Sequence, residues 1–89
     1  MTDEEILFEI KKICISCNVK SAYLFGSRAK GVARERSDFD VAVSGADNVD
    51  MLKDKLDQIP TLHKIDLVDL DSCRNDLLKE DILRYGQKI

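Results

Sequence analysis

Early in the chain, Ile6, Ile10, Ile13, Cys14 and Cys17 recur at three- and four-residue intervals, which puts them on one face of a helix. This spacing predicts an amphipathic helix over residues 3–17, capped by Thr2 or Asp3. The segment SAYLF, 21–25, is short, apolar and strand-like, and it stops at Gly26. Residues 27–33 suit a short helix that ends near Gly31. In FDVAVS, 39–44, the pattern alternates: Phe39, Val41 and Val43 face one way, Asp40 and Ala42 the other. Gly45 and Asn48 mark a turn, and Val49, Leu52, Leu56 and Ile59 then follow helical spacing up to Pro60. KIDLVDL, 64–70, reads as a third strand. Ser72 is the expected cap of a last helix carrying Leu77, Leu78, Ile82 and Leu83, closed by Gly86.

The expected order is therefore α-β-α-β-α-β-α, an α/β (α+β) chain with a small sheet and helices packed against it. Alternation favours parallel pairing, but the short connection between the first two strands also permits a mixed sheet. With 89 residues, and with no repeat or low-complexity segment, one domain over 1–89 is expected.

Composition narrows the class. Apolar residues make up 44% of the chain, ordinary for a folded protein and too many for disorder. No apolar run approaches the roughly 18 residues that cross a bilayer, and the acidic, amphipathic start does not resemble a secretory signal. These features point to a cytosolic protein that does not engage a membrane. Three cysteines without an export signal point to reduced thiols, with Cys14 and Cys17 as small buried hydrophobes.

The net charge of −3 conceals a basic island. Between Lys20 and Ser37, Lys20, Arg28, Lys30, Arg34 and Arg36 face Glu35 alone, a net of +4 that leaves −7 elsewhere. Such an island suits a compact anion such as a triphosphate. It does not suit direct nucleic-acid binding, which requires an extended basic surface. Arg34 and Arg36 are read as loop charges.

The acids carry the chemistry. Asp38 and Asp40 lie two apart, so on a strand they point the same way, about 6.7 Å apart. Two like-charged carboxylates there raise each other's pKa and call for a cation. Hard cations such as Mg²⁺ take oxygen ligands and share their remaining positions with substrate phosphates. Asp66 interrupts the third strand in the same manner and completes a three-carboxylate cluster if that strand lies beside the second. Asp69 has the opposite parity and should face away, into surface or capping use. His63 is expected in a solvent-facing turn, and Tyr23 and Phe25 in the core.

Gly26 ends a strand where the absence of a Cβ lets a ligand approach closely. Ser27 then sits where a helix N-terminus offers free N–H groups to phosphate, and Arg28 and Lys30 add positive charge.

The stretch GSRAKGVARERSDFDVAV, with Gly-Ser, ten residues and Asp-x-Asp, resembles the signature of the DNA polymerase beta-like nucleotidyltransferase superfamily. It is most similar to the minimal nucleotidyltransferases, and KIDLVDL resembles the strand bearing that family's third acid. The resemblance implies the nucleotidyltransferase fold and transfer of a nucleoside monophosphate, usually AMP from ATP, to a hydroxyl by a two-metal mechanism. In it, Asp38, Asp40 and Asp66 match the ligands of two Mg²⁺ ions. Asp66 also helps to deprotonate the acceptor, and Gly26 and Ser27 match the triphosphate turn. Larger members carry a further domain, for which little room is expected here, so the acceptor is another macromolecule or the site is completed by a second subunit. The family resemblance implies a small all-helical HEPN-type toxin as partner, silenced by addition of AMP to a tyrosine. Two other readings stand beside this antitoxin role: transfer to a small molecule such as an antibiotic, and a non-catalytic subunit that neutralises its partner by docking.

Overall fold

A computed structural model describes residues 2–26 and 38–89. Helix α1 (Asp3–Ser16) opens on a reciprocal cap: the Thr2 hydroxyl accepts the Glu5 N–H at 3.2 Å, and the Glu5 carboxylate accepts the Thr2 N–H at 3.1 Å. It ends where Asn18 adopts a left-handed φ of 58°. There the Asn18 N–H donates to the Ile15 carbonyl and the Val19 N–H to that of Cys14, the paired closure that satisfies a helix's last carbonyls. The chain thereby turns directly into β1 (Ser21–Phe25).

β2 (Phe39–Ser44), β3 (Ile65–Asp69) and β4 (Gln87–Lys88) complete a four-stranded sheet in the order β3-β2-β1-β4. β1 runs antiparallel to both β2 and β4, whereas β2 and β3 are parallel. A parallel pair needs a crossover, and α2 (Val49–Asp57) supplies it, capped by the Asn48 side chain on the Met51 N–H at 3.0 Å. The sheet is thus mixed. After β3, α3 (Asp76–Tyr85) leads into β4. None of the described helices is long and apolar enough to cross a membrane.

Strand alternation divides the core in two. On one face, Ile6, Ile10, Cys14 and Cys17 of the first helix and its cap join Leu52, Leu56 and Ile59 over Leu24, Phe39, Val41 and Val43. On the other face, Ile82 of α3 packs with Phe25, Ala42 and Leu70, and Tyr23, Val68 and Leu78 lie against them. Ala42, on the same side of β2 as Asp40, is fully buried because α3 covers that part of the sheet.

Several expectations need correction. β4 is an additional element, placed by pairing of Tyr23 with Lys88 and Leu24 with Gln87. The cap of α3 is Asn75, whose side chain accepts the Leu78 N–H at 3.1 Å, while Ser72 donates its hydroxyl to Asp69. Leu77 and Leu83 are exposed, since α3 turns only Leu78 and Ile82 toward the sheet. His63 is largely covered rather than solvent-facing: its ring meets Phe39 edge-on at 5.4 Å and its Nε2 lies 3.9 Å from Asp3. The short helix expected at 27–33 lies outside the described residues.

Candidate functional site

Asp40 and Asp66 are each the second residue of their strand, and they are direct register partners across the parallel β2–β3 pair. Because alternate residues share a face, both belong to the side of the sheet that carries Ala42 and Val68. Ile65 and Leu67, of opposite parity, pack into the other core. Asp38 stands just ahead of β2 and is exposed. Asp40 is half-buried, and its pKa lies above the ordinary carboxylate range, first because burial penalises its charge, then because Asp66 and Asp38 repel it. The electrostatic field of all three acids therefore meets at Asp40.

Gly26 closes the site from the neighbouring strand. Phe25 is the register partner of Asp40, and the next residue, Gly26, takes a φ of +75°. A Cβ at Gly26 would run into Asp40 Oδ2 and stand 3.3 Å from its Cγ. The glycine is required twice over, for its backbone conformation and for the space its missing side chain leaves to the carboxylate. Ser27, Arg28 and Lys30, and the loop charges Arg34 and Arg36, lie outside the described residues.

One cation missed in the sequence belongs here. Lys64 Nζ lies 3.4 Å from Asp66 Oδ1. The signal was present in KIDLVDL: Lys64 is two residues from Asp66, so it shares its side of the strand. Asp69 faces the opposite way, as its parity predicts, and accepts the Asp71 N–H at 3.1 Å and the Ser72 hydroxyl at 2.9 Å. Among the described residues no three acidic, histidine or cysteine side chains are gathered closely enough to hold a metal ion by themselves. What the structure assembles is a pair of facing carboxylates, a third acid within electrostatic reach, and a side-chain-free turn against them.

Residues 9–89 match the family described as polymerase beta, nucleotidyltransferase. Among solved structures, the chain is similar to a toxin-antitoxin complex with AMP-PNP, at 25% identity and a TM-score of 0.67 over 98% of this chain and 72% of that one. It is similar to the toxin-antitoxin pair MntA-HepT at 27% identity and a TM-score of 0.67, over 97% of this chain and 70% of that one. A mutant of an MntA-containing toxin-antitoxin pair gives 28% identity and a TM-score of 0.65, over 100% of this chain and 72% of that one. No curated protein matches.

Proposed function

The chain belongs to the polymerase beta nucleotidyltransferase family, and from that premise we propose that it moves AMP from ATP to a hydroxyl, a tyrosine of a small helical HEPN-type toxin, and so acts as an antitoxin. The observation that carries this reading is the register pairing of Asp40 with Asp66 beside the Gly26 turn. The partner and its role are inferred from the similar solved complexes, which pair a toxin with an antitoxin, one of them with AMP-PNP.

The donor set fits Mg²⁺. It consists of carboxylate oxygens, one of them held at a raised pKa by burial and like charge. Mg²⁺ is commonly held by one or two carboxylates plus substrate phosphates, so a closed cage of three protein ligands is not required. Asp38, Asp40 and Asp66 would hold the ions. When bound, these ions would neutralise the phosphates and make the acceptor oxygen more acidic.

The chain's own groups have the following parts. Gly26, with Ser27 after it, would offer backbone N–H groups to the triphosphate. Arg28 and Lys30 offset its charge. Asp66, at the outer strand of the acid pair, accepts the proton of the acceptor hydroxyl as its oxygen bonds to the α-phosphorus. The bond to the β-phosphate oxygen breaks, and pyrophosphate leaves with that electron pair.

The test is to co-express the chain with its helical partner and to look by mass spectrometry for AMP on a partner tyrosine, in the wild type and in Asp40→Asn. AMP found only with the wild type supports the reading. An unmodified but neutralised partner, equally with both proteins, overturns it in favour of docking alone.

A further inference from the structure

We propose that Lys64 is the resident counter-ion of the acid pair: it neutralises Asp66 while no divalent cation is bound, gives way when one enters, and so sets the cation affinity of the site. The inference rests on the reading of these acids as cation ligands given above.

The argument begins with register. Phe39 pairs with Ile65, and the Phe39 N–H donates to the Lys64 carbonyl at 2.9 Å. Asp38 and Lys64 are the residues that immediately precede that pair in their chains, and one residue after it Asp40 faces Asp66. Among the described residues, the two strand starts thus bring the Lys64 ammonium to Asp66, beside Asp40 and within electrostatic reach of Asp38. That ammonium lies 3.4 Å from Asp66 Oδ1, on an oxygen a hard cation would also use.

The Lys64 side chain is 73% exposed and that of Asp66 38%. An exposed pair of this kind is weak and exchanges readily with water, so the ammonium can swing away at little cost. A fixed buried pair would block the site; a mobile surface pair competes in it. Displacement leaves the acids of the site without the Lys64 charge, a loss that a divalent cation offsets better than a monovalent one. Lys64 therefore penalises occupancy by weak or monovalent ions more than occupancy by a divalent ion carried in with a triphosphate.

The test is Mn²⁺ binding by isothermal titration calorimetry on the full chain, without nucleotide, in wild type, Lys64→Met and Lys64→Arg. Met keeps the length of the stem and removes the charge; Arg keeps the charge. Taking a unit charge away from about 6 Å of a divalent ion in a water-like dielectric tightens binding about tenfold. Lys64→Met is expected to bind Mn²⁺ about tenfold tighter than wild type, and Lys64→Arg to stay near wild type. Equal or weaker binding by Lys64→Met overturns the inference and leaves the carboxylates as ligands. If neither wild type nor Lys64→Met binds Mn²⁺, the ligand reading itself falls and this inference with it.

Discussion

Replacing Gly26 by alanine tests whether the turn and the acid beside it act as one unit. The residue sits at φ +75°, where a Cβ meets its own backbone, and this alone costs about 1–2 kcal/mol. In a domain of this size such a loss lowers Tm by about 5–15 °C. Gly45 offers the control: at φ +71° its alanine variant carries the same backbone strain, but its Cβ meets the Lys20 side chain instead, at 2.7 Å from Cγ and Cδ and 2.8 Å from Cβ, so it costs at least as much stability. Both variants should therefore melt below wild type, Gly45→Ala at least as low as Gly26→Ala, and differ in chemistry. The Gly26→Ala methyl must push the Asp40 carboxylate aside by ~1 Å, and a displacement of that size at a reacting centre costs about 10²-fold in rate. AMP transfer and Mn²⁺ affinity, measured well below both melting points, should fall in Gly26→Ala and hold in Gly45→Ala. Equal activity and equal Mn²⁺ affinity in the two variants would refute the idea that Gly26 makes room for the carboxylate.

Asp40→Asn should abolish transfer and, in metal-free buffer, leave stability unchanged or raised by on the order of 1 kcal/mol or less, because it removes a half-buried charge facing two like charges; a large drop in Tm would contradict this. Asp71 accepts the Gly45 N–H at 2.8 Å and the Ser44 hydroxyl at 3.0 Å, which hold its pKa below the ordinary carboxylate range. A lowered folded pKa contributes stability above the unfolded pKa of about 3.9 and loses it as pH falls through the lower folded value. Asp71→Asn should thus be less stable at neutral pH and lose less on acidification, as melts from pH 7 to pH 2 will show. Burial, and next Cys17, push the Cys14 thiol up to about 11, whereas Cys73 is only half-buried. A thiol reagent at pH 8 should modify Cys73 first, and Cys14 and Cys17 only on unfolding.

The parts of the fold legible from the sequence are those in which one residue has one plausible environment. Spacing narrowed the cap of α1 to Thr2 or Asp3, between which the structure selects Thr2, and the opposite parity of Asp66 and Asp69 follows from the strand alone. Where two residues of similar chemistry compete, pattern does not decide. Ser72 and Asn75 are both good caps, and Asn75 prevails because the turn uses the Ser72 hydroxyl on Asp69. Leu77 and Leu83 flank Leu78 and Ile82 in helical projection, so only packing reveals which pair faces the sheet. β4, two residues long, has no alternation to read and exists through its pairing with β1. In the site, the shared side of Asp38 and Asp40 was legible from spacing, whereas the pairing of Asp40 with Asp66 required β2 and β3 to be neighbours in this register, which no local pattern contains. The Lys64–Asp66 ion pair was open to the same parity reading, since the two residues lie two apart at the start of β3.

That register also ties assembly to competence. Backbone bonds hold the β2–β3 ladder at both ends, from the Phe39 N–H to the Lys64 carbonyl and from the Leu70 N–H to the Val43 carbonyl, both at 2.9 Å. A slip of one residue would take Ile65 and Leu67 off the core that α1 and α2 cover and carry Asp66 to the wrong side of the sheet. The hydrophobic effect thus proofreads the carboxylates: a misaligned molecule fails to seat these aliphatic residues in that core before it ever presents a faulty site.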